Sequence, residues 1–137
     1  MRFSARAFHV AAGATGDVIG GAMIARIWRG AVRIEDADAY STYMQGTGIP
    51  AYARTPGNHG VWMLRRDVGD RTQFVMITMW ESIDAVKRFA GETYDVAVFY
   101  PEDERYLVER DMTATHYVVD THVDASRGGP SDGSDVL

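Results

Sequence analysis

The sequence contains no cysteine. Disulfide bonds, thiolate nucleophiles and cysteine-ligated zinc or iron–sulfur sites are therefore excluded. No apolar run approaches the roughly 20 residues that span a bilayer, and 14 basic against 19 acidic residues give a net charge of −5. We therefore expect neither a membrane nor a nucleic acid as partner, and we expect a cytoplasmic location.

Sequence motifs that hold cofactors or metals are also missing. There is no GxGxxG after a predicted strand, no pair of histidines at helical spacing and no EF-hand loop. The sequence thus predicts no flavin, nicotinamide or metal, and any chemistry must come from ordinary side chains.

The organisation of the chain indicates one folded domain. Its 137 residues, 46% of them hydrophobic, suffice for a single core. We place the domain at residues 23–123, because apolar periodicity begins at Met23. Residues 1–22 form an N-terminal extension for which disorder is one interpretation, and residues 124–137 are rich in Gly, Ser, Asp and Pro, which is typical of a disordered tail.

Periodicity and turn residues predict a strand–helix–strand–strand–helix–strand order. Apolar alternation predicts strands, three- and four-residue spacing predicts helices, and Gly, Pro, Asn and Asp mark the turns. The predicted elements are strands at 23–32, 59–66, 71–80 and 111–120, helices at 35–45 and 83–90 with Ser82 as N-cap, and short helices from Pro50 and at 101–107. This order is the α+β arrangement of the ferredoxin-like fold.

The third predicted strand has apolar side chains on both faces. One face carries Phe74, Met76 and Trp80, and the other carries Val75, Ile77 and Met79. Because helices cover only one face of such a sheet, the second face predicts a partner sheet, most simply in a homodimer.

Five segments together resemble the antibiotic biosynthesis monooxygenase-like proteins of the dimeric α+β barrel superfamily. They are MIARIWRG, TPGN, MWESIDAVKRFAGE, YPEDERYL and ATHYVV, within residues 23–119. The resemblance implies a dimer with a pocket between sheet and helices. It also implies cofactor-independent oxidation of hydrophobic aromatic phenols or quinols, such as polyketides, to quinones, with haem cleavage as the alternative in some relatives.

The resemblance assigns Trp80 to a position that lines the family's pocket. Trp80 could serve there as a platform for an aromatic ligand, or it could be a core residue that braces the second helix against the sheet. Quinone-forming members carry an asparagine earlier on the same face of this strand, at the position that Met76 occupies here. Met76 stands at that place, and it can pack against a ligand but cannot donate a hydrogen bond.

Polar residues on predicted strands are the candidates for chemistry. His116 lies on a mostly apolar strand face, where a neutral imidazole could take a proton from a phenol, or could simply be buried and hydrogen-bonded. Arg26 alternates with Trp28 and could stabilise an anion or pair with an acid. His59 follows a turn at the mouth of a strand, where it is either solvated or at a pocket entrance.

Aromatic residues are numerous enough to line a pocket for a flat ligand, although core packing explains them equally well. They are Trp28, Tyr40, Tyr43, Tyr52, Trp62, Phe74 and Tyr100. The acidic run from Glu102 to Glu104 is typical of a helix start rather than of a metal site.

These residues define the functional hypotheses. In the first, a cofactor-free monooxygenase oxidises a hydrophobic aromatic molecule with dioxygen, using His116 as base, Trp80 as platform and Arg26 to stabilise the anion. In the second, the same pocket of the dimer binds an aromatic metabolite without catalysis. An isomerase or cyclase on the same scaffold is a further alternative, because fold does not fix function.

Overall fold

A five-stranded sheet with helices forms the fold of residues 22–125, the part of the chain that the computed structural model describes. The strands are β1 (Ile24–Arg33), β2 (Asn58–Val68), β3 (Arg71–Trp80), β4 (Leu107–Arg110) and β5 (Thr115–Val118). The helices are a 3₁₀ turn (Ile34–Asp36), α1 (Ala37–Gly46), α2 (Gly48–Ala53), α3 (Ile83–Ala90) and α4 (Asp103–Tyr106). The predictions for residues 1–21 and 126–137 lie outside the described residues.

Strand β1 lies at the centre of the sheet. The order is β2-β3-β1-β4, with β5 also paired to β1, and all pairs are antiparallel. Along one edge of β1, β4 pairs with Gly30–Val32 and β5 pairs with Ile24–Ile27. This arrangement confirms the predicted α+β, ferredoxin-like fold.

The C-terminal strand differs from its prediction. In place of one strand over residues 111–120 there are two short ones, and the first begins at Leu107, where a helix was predicted to end. Asp111 still donates its amide to the Arg29 carbonyl of β1, but after it the backbone bonds away from β1: the amide of Ala114 donates to the Asp95 carbonyl at 2.7 Å, and the Met112 carbonyl accepts from Ala97 at 2.9 Å. These bonds to residues 91–102, the connector between α3 and α4, interrupt the strand.

The prediction that Ser82 caps α3 is confirmed. Its hydroxyl accepts a hydrogen bond from the Ala85 amide at 3.1 Å, and the helix ends at Gly91, whose φ of 88° suits glycine. The cap fixes the point at which β3 turns into α3, directly after Trp80 and Glu81.

The helices cover only one of the two faces of the sheet. Along β3 every second residue from Thr72 to Trp80 is buried, and these residues lie on the helix side together with the alternate residues Ile24, Arg26 and Trp28 of β1. The core forms there, around Val32, Tyr40, Phe74, Met76, Trp80 and Val86.

The opposite face of the sheet carries exposed apolar side chains. Trp62 is 51% exposed and Tyr117 55% exposed, and Leu64 lies on the same face with the partly exposed Val75 and Ile77 of β3. Trp62 is thus not part of the aromatic interior, because β2 is an edge strand and its side chain points away from the helices. We name this surface the open face.

Candidate functional site

A small cavity lies between β1, the first helices and the connector. Its volume is about 10 Å³, which is room for about one water-sized group. The side chains that line it are Arg26, Trp28, Tyr40, Met44, Tyr52, Val98, Tyr100 and Asp103. We name it the Arg26 cavity, since Arg26 is its most buried charged residue.

Arg26 is a buried guanidinium, only 2% exposed. Its Nη2 donates weakly to the backbone carbonyls of Tyr94 at 3.4 Å and Val96 at 3.3 Å, and the group lies over the Phe89 ring at 5.4 Å. Its Nε has no hydrogen-bond partner, and Arg26 forms no ion pair, among residues 22–125. Arg26 therefore retains a positive charge with one unpaired N–H, and its side chain lines the cavity.

The tyrosines around the cavity are neutral hydroxyl groups. Burial raises the pKa of Tyr52 and of Tyr40, and it raises the pKa of Tyr100 to about 12. The positive charge of Arg26 acts in the opposite direction on Tyr52. The rings are fixed by neighbours: Tyr52 stacks on Phe89 with centroids 4.5 Å apart. Aromatic rings thus form much of the cavity wall, and Arg26 is the positively charged group beside them.

Asp103 is a buried carboxylate of the same cavity, 3% exposed. Its Oδ2 accepts a hydrogen bond from the Tyr100 amide at 2.5 Å, whereas its Oδ1 has no partner among the described residues. Burial raises its pKa, against the opposing effects of the Tyr100 amide and the charge of Arg110. The prediction that the acidic run only marks a helix start misses this residue.

His116 lies directly beside Arg26, because the two are cross-strand partners in β1 and β5. Its Nδ1 is 3.4 Å from Asp95 Oδ1, its ring meets Tyr94 edge-on, and its buried Nε2 has no partner within residues 22–125. Burial, then the charge of Arg26, lowers its pKa to about 4, with Asp95 opposing. His116 is therefore neutral at pH 7, and it is not among the residues that line the cavity.

Trp80 is fully buried beneath α3 and does not line the Arg26 cavity. Its Nε1 donates to Thr78 Oγ1 at 2.8 Å, and its ring packs on Phe89 and Tyr52 with centroids 5.8 and 6.4 Å apart. Its N–H is thus used within the core. This placement favours the interpretation that Trp80 braces α3 against the sheet.

The other predicted residues lie around the site or away from it. Phe74 and Met76 are buried core residues outside the cavity lining, and Phe74 packs on Tyr40 of α1. The Tyr43 hydroxyl accepts from the Glu102 amide at 3.0 Å. His59 is exposed at the start of β2, with Nε2 4.0 Å from a carboxylate oxygen of Glu81.

The structure adds three residues to the cavity that the sequence did not single out for a site: Met44, Val98 and Asp103. Met44 continues the helical spacing of Tyr40 and could have been found from it. Val98 and Asp103 could not, because the connector that carries Val98 has no periodicity and Asp103 lies between two carboxylates that pair with surface arginines.

Two further properties of residues 22–125 bear on possible ligands. No group of three or more histidine, aspartate or glutamate side chains is placed to hold a metal ion. No helix in this range is long and apolar enough to cross a membrane.

Comparison with solved structures identifies the fold. A crystal structure from Bacillus cereus, described as a candidate antibiotic biosynthesis monooxygenase, matches with a TM-score of 0.54 and 18% sequence identity, over 77% of this chain and 100% of that chain. A solved structure from Nitrosomonas europaea with the same description matches with a TM-score of 0.52 and 20% identity, over 73% of this chain and 92% of that chain.

Sequence-based comparison adds nothing to these matches. No family model matches the chain, and no similar sequence was found among curated proteins. At the identities of the two structures, the similarity establishes a shared fold. The chain thus has the fold of structures described as candidate antibiotic biosynthesis monooxygenases, which confirms the family resemblance of the sequence at the level of the fold.

Proposed function

We propose that this protein is a cofactor-independent monooxygenase that oxidises a phenol of a hydrophobic aromatic molecule with dioxygen. The observation that carries the proposal is Arg26, a buried guanidinium with a free N–H at a tyrosine-lined cavity. In a buried site, a fixed cation stabilises a developing phenolate far more than it would in water. The two matched structures support the oxygenase class through their descriptions.

The reaction needs no external reductant. Loss of the phenolic proton leaves a phenolate, which passes an electron to dioxygen, and the two radicals combine into a carbon-bound peroxide. Loss of water from that peroxide leaves a quinone, so one phenol and one dioxygen give one quinone and one water. Arg26 stabilises the phenolate, and His116, which is neutral and has a free Nε2, serves as the base.

Substrate binding requires the Arg26 cavity to open. A cavity that accepts benzene measures on the order of 150 Å³, whereas the Arg26 cavity measures about 10 Å³. Met44 is flexible and Tyr100 lies on the irregular connector, so these side chains are the ones that we expect to move. In the proposal, Trp28, Tyr40 and Tyr52 then contact the aromatic rings of the substrate.

The active form in this proposal is a homodimer. The open face presents Trp62, Leu64 and Tyr117 to solvent in the single chain, and a second copy would cover them. The sites lie on the other side of each sheet, so each protomer holds its own Arg26 cavity.

Oxygen uptake tests the proposal. Wild-type protein with a panel of naphthols and larger phenols should consume dioxygen, and Arg26→Met should reduce kcat about 100-fold or more, since it removes the charge that stabilises the anion. Arg105→Met is the control, because Arg105 is an exposed arginine of α4, off the open face, that pairs with Glu102. Equal activity of the two variants would remove Arg26 from the reaction.

A second candidate function is binding of an aromatic metabolite without catalysis. Met76 favours it, because Met76 stands where quinone-forming proteins carry an asparagine and lies buried in the core. This function predicts saturable quenching of tryptophan fluorescence by the same phenols, with no oxygen uptake by the wild-type protein.

A further inference from the structure

Met44 packs directly against the start of α2. It lies in the last turn of α1, is only 4% exposed and lines the Arg26 cavity. A Cβ added to Gly48 would lie 2.6 Å from Met44 Cε and 3.5 Å from Met44 Sδ. The thioether of Met44 therefore occupies the space that the side chain of any other residue at position 48 would fill.

Gly48 is needed for this packing and not for its backbone angle. It is the first residue of α2, and its φ lies outside the left-handed region that favours glycine. The next atom from the added Cβ is Tyr100 Cε2 at 3.5 Å, which is an ordinary van der Waals distance. Met44 and Tyr100, the two side chains that we expect to move when the cavity opens, thus meet at Gly48.

We propose that Met44 determines how large an aromatic ring system the Arg26 cavity accepts, and that Gly48 provides the space in which the Met44 thioether lies. The inference rests on the proposed function, because it takes the Arg26 cavity as the place where the phenol binds. It adds to that function the residue that selects among phenols of different size.

Met44 is held less firmly than the aromatic side chains of the same cavity. Trp28 Nε1 donates to the Asp111 carbonyl at 2.8 Å, and Tyr52 stacks on Phe89 with ring centroids 4.5 Å apart. Met44 has a flexible, unbranched side chain whose sulfur is at most a weak hydrogen-bond acceptor, so packing alone holds it. Its position therefore adapts to a ligand or to a neighbouring substitution at the lowest cost.

Two substitutions should change the cavity in opposite directions. Met44→Ala removes the thioether from the wall and enlarges a cavity whose volume is about 10 Å³. Gly48→Ala adds a methyl group that displaces the thioether. Because Met44 is buried and the free space that it borders is the Arg26 cavity, the displaced thioether should move into that cavity and fill it.

Calorimetric titration with phenol and with 2-naphthol, in the absence of dioxygen, tests the inference separately from the oxidation. Met44→Ala should raise the affinity for 2-naphthol, relative to that for phenol, about tenfold or more, since the second ring needs the space that the thioether leaves. Met44→Leu, the conservative variant, should keep the wild-type ratio of the two affinities, because leucine and methionine have similar volumes.

Gly48→Ala provides the opposite test. It should lower the affinity for 2-naphthol about tenfold, because the displaced thioether then occupies the cavity. Gly46→Ala is the matched control and should bind like the wild type: it adds the same methyl group, and no side chain among residues 22–125, its chain neighbours apart, lies within 4 Å of the added Cβ. In a Met44→Ala background, Gly48→Ala should lose its effect, since the thioether that it displaces is gone.

Independent effects of the two substitutions would contradict the inference. Gly48→Ala that lowers the affinity equally in both backgrounds does not act through Met44. An unchanged affinity ratio in Met44→Ala with a native near-ultraviolet circular dichroism spectrum would also overturn it. If Met44→Ala does not fold, equal affinities of Gly48→Ala and Gly46→Ala would overturn it instead. Altered ratios without any oxygen uptake would support Met44 and contradict the oxygenase, whereas oxygen uptake with unchanged ratios would contradict the role of Met44 alone.

Discussion

At the scale of single residues, Arg26 and His116 share one buried environment, and the positive charge of Arg26 disfavours a second positive charge on His116. Arg26 keeps its proton, and its charge together with burial lowers the pKa of His116 to about 4 from an ordinary value of 6.5. Asp95 opposes the shift from 3.4 Å, and Tyr94 presents a ring edge without charge. Folding thus keeps the histidine neutral down to about pH 4.

This pKa shift predicts a pH dependence of stability. Between pH 4 and 6.5 the unfolded chain binds a proton at His116 that the folded chain does not, so the free energy of unfolding should rise with pH across this window. The gain is about 2 kcal/mol once partial solvation is allowed for. Urea denaturation at a series of pH values measures it.

His116→Gln isolates this contribution. The variant has no imidazole at the buried position, so the part of the slope between pH 4 and 6.5 that belongs to His116 should disappear. The slope rather than the absolute stability is the readout, because the substitution also changes packing. An unchanged slope would show that His116 titrates alike in the folded and unfolded chains.

At the scale of elements, the turn before β2 fixes the position of α3. Gly57 has a φ of 94°, and its carbonyl accepts the Glu81 amide at 2.9 Å, directly before the Ser82 cap. A Cβ at this position would lie 2.5 Å from the Cβ of Ala85. Glycine is therefore needed both for its backbone angle and for the close approach of the helix.

Gly57→Ala should lower the free energy of unfolding by about 2–4 kcal/mol, since it adds a steric clash to the cost of a left-handed angle. Gly69→Ala is the matched control: Gly69 has a φ of 63° but no atom within 4 Å of the added Cβ. Its cost should be about 1 kcal/mol. Thermal or urea denaturation measures the difference, and equal costs would contradict the packing of α3 on the turn.

Elements differ in how far the sequence could predict them. The bounds of β3, Arg71–Trp80, follow from alternation and from the turn before it, which are both local patterns. The break between β4 and β5 depends on backbone hydrogen bonds from Ala114 and Met112 to the distant connector, so no local sequence pattern predicts it.

The residues of the candidate site also differ in whether local sequence patterns or distant contacts determine their positions. The sequence identified Arg26 and the cavity tyrosines because they lie on regular elements whose faces can be inferred. It did not identify Asp103, since its burial depends on how the connector folds over β1, and it could not distinguish the two interpretations of Trp80. That distinction depended on the hydrogen bond from Nε1 to Thr78.

At the scale of the whole molecule, the open face predicts self-association. Trp62→Glu places a charge on this face, so the proposed dimer should dissociate to monomers in sedimentation equilibrium, while the far-ultraviolet circular dichroism is retained. Ile34→Glu is the control, because Ile34 is also exposed, at 41%, but lies in the 3₁₀ turn outside the sheet. A wild-type chain that sediments as a monomer would contradict the dimer.

The central position of β1 also affects how the chain reaches its native state. Within residues 22–125, every strand that pairs with β1 follows it in the sequence, and β5 begins at Thr115, about ninety residues after Ile24. During synthesis, at about 5–20 residues per second, β1 emerges from the ribosome several seconds before β5 can pair with it. Part of one edge of β1 stays unpaired for that time, so its backbone N–H and C=O groups remain open to another strand or to a chaperone on the nascent chain.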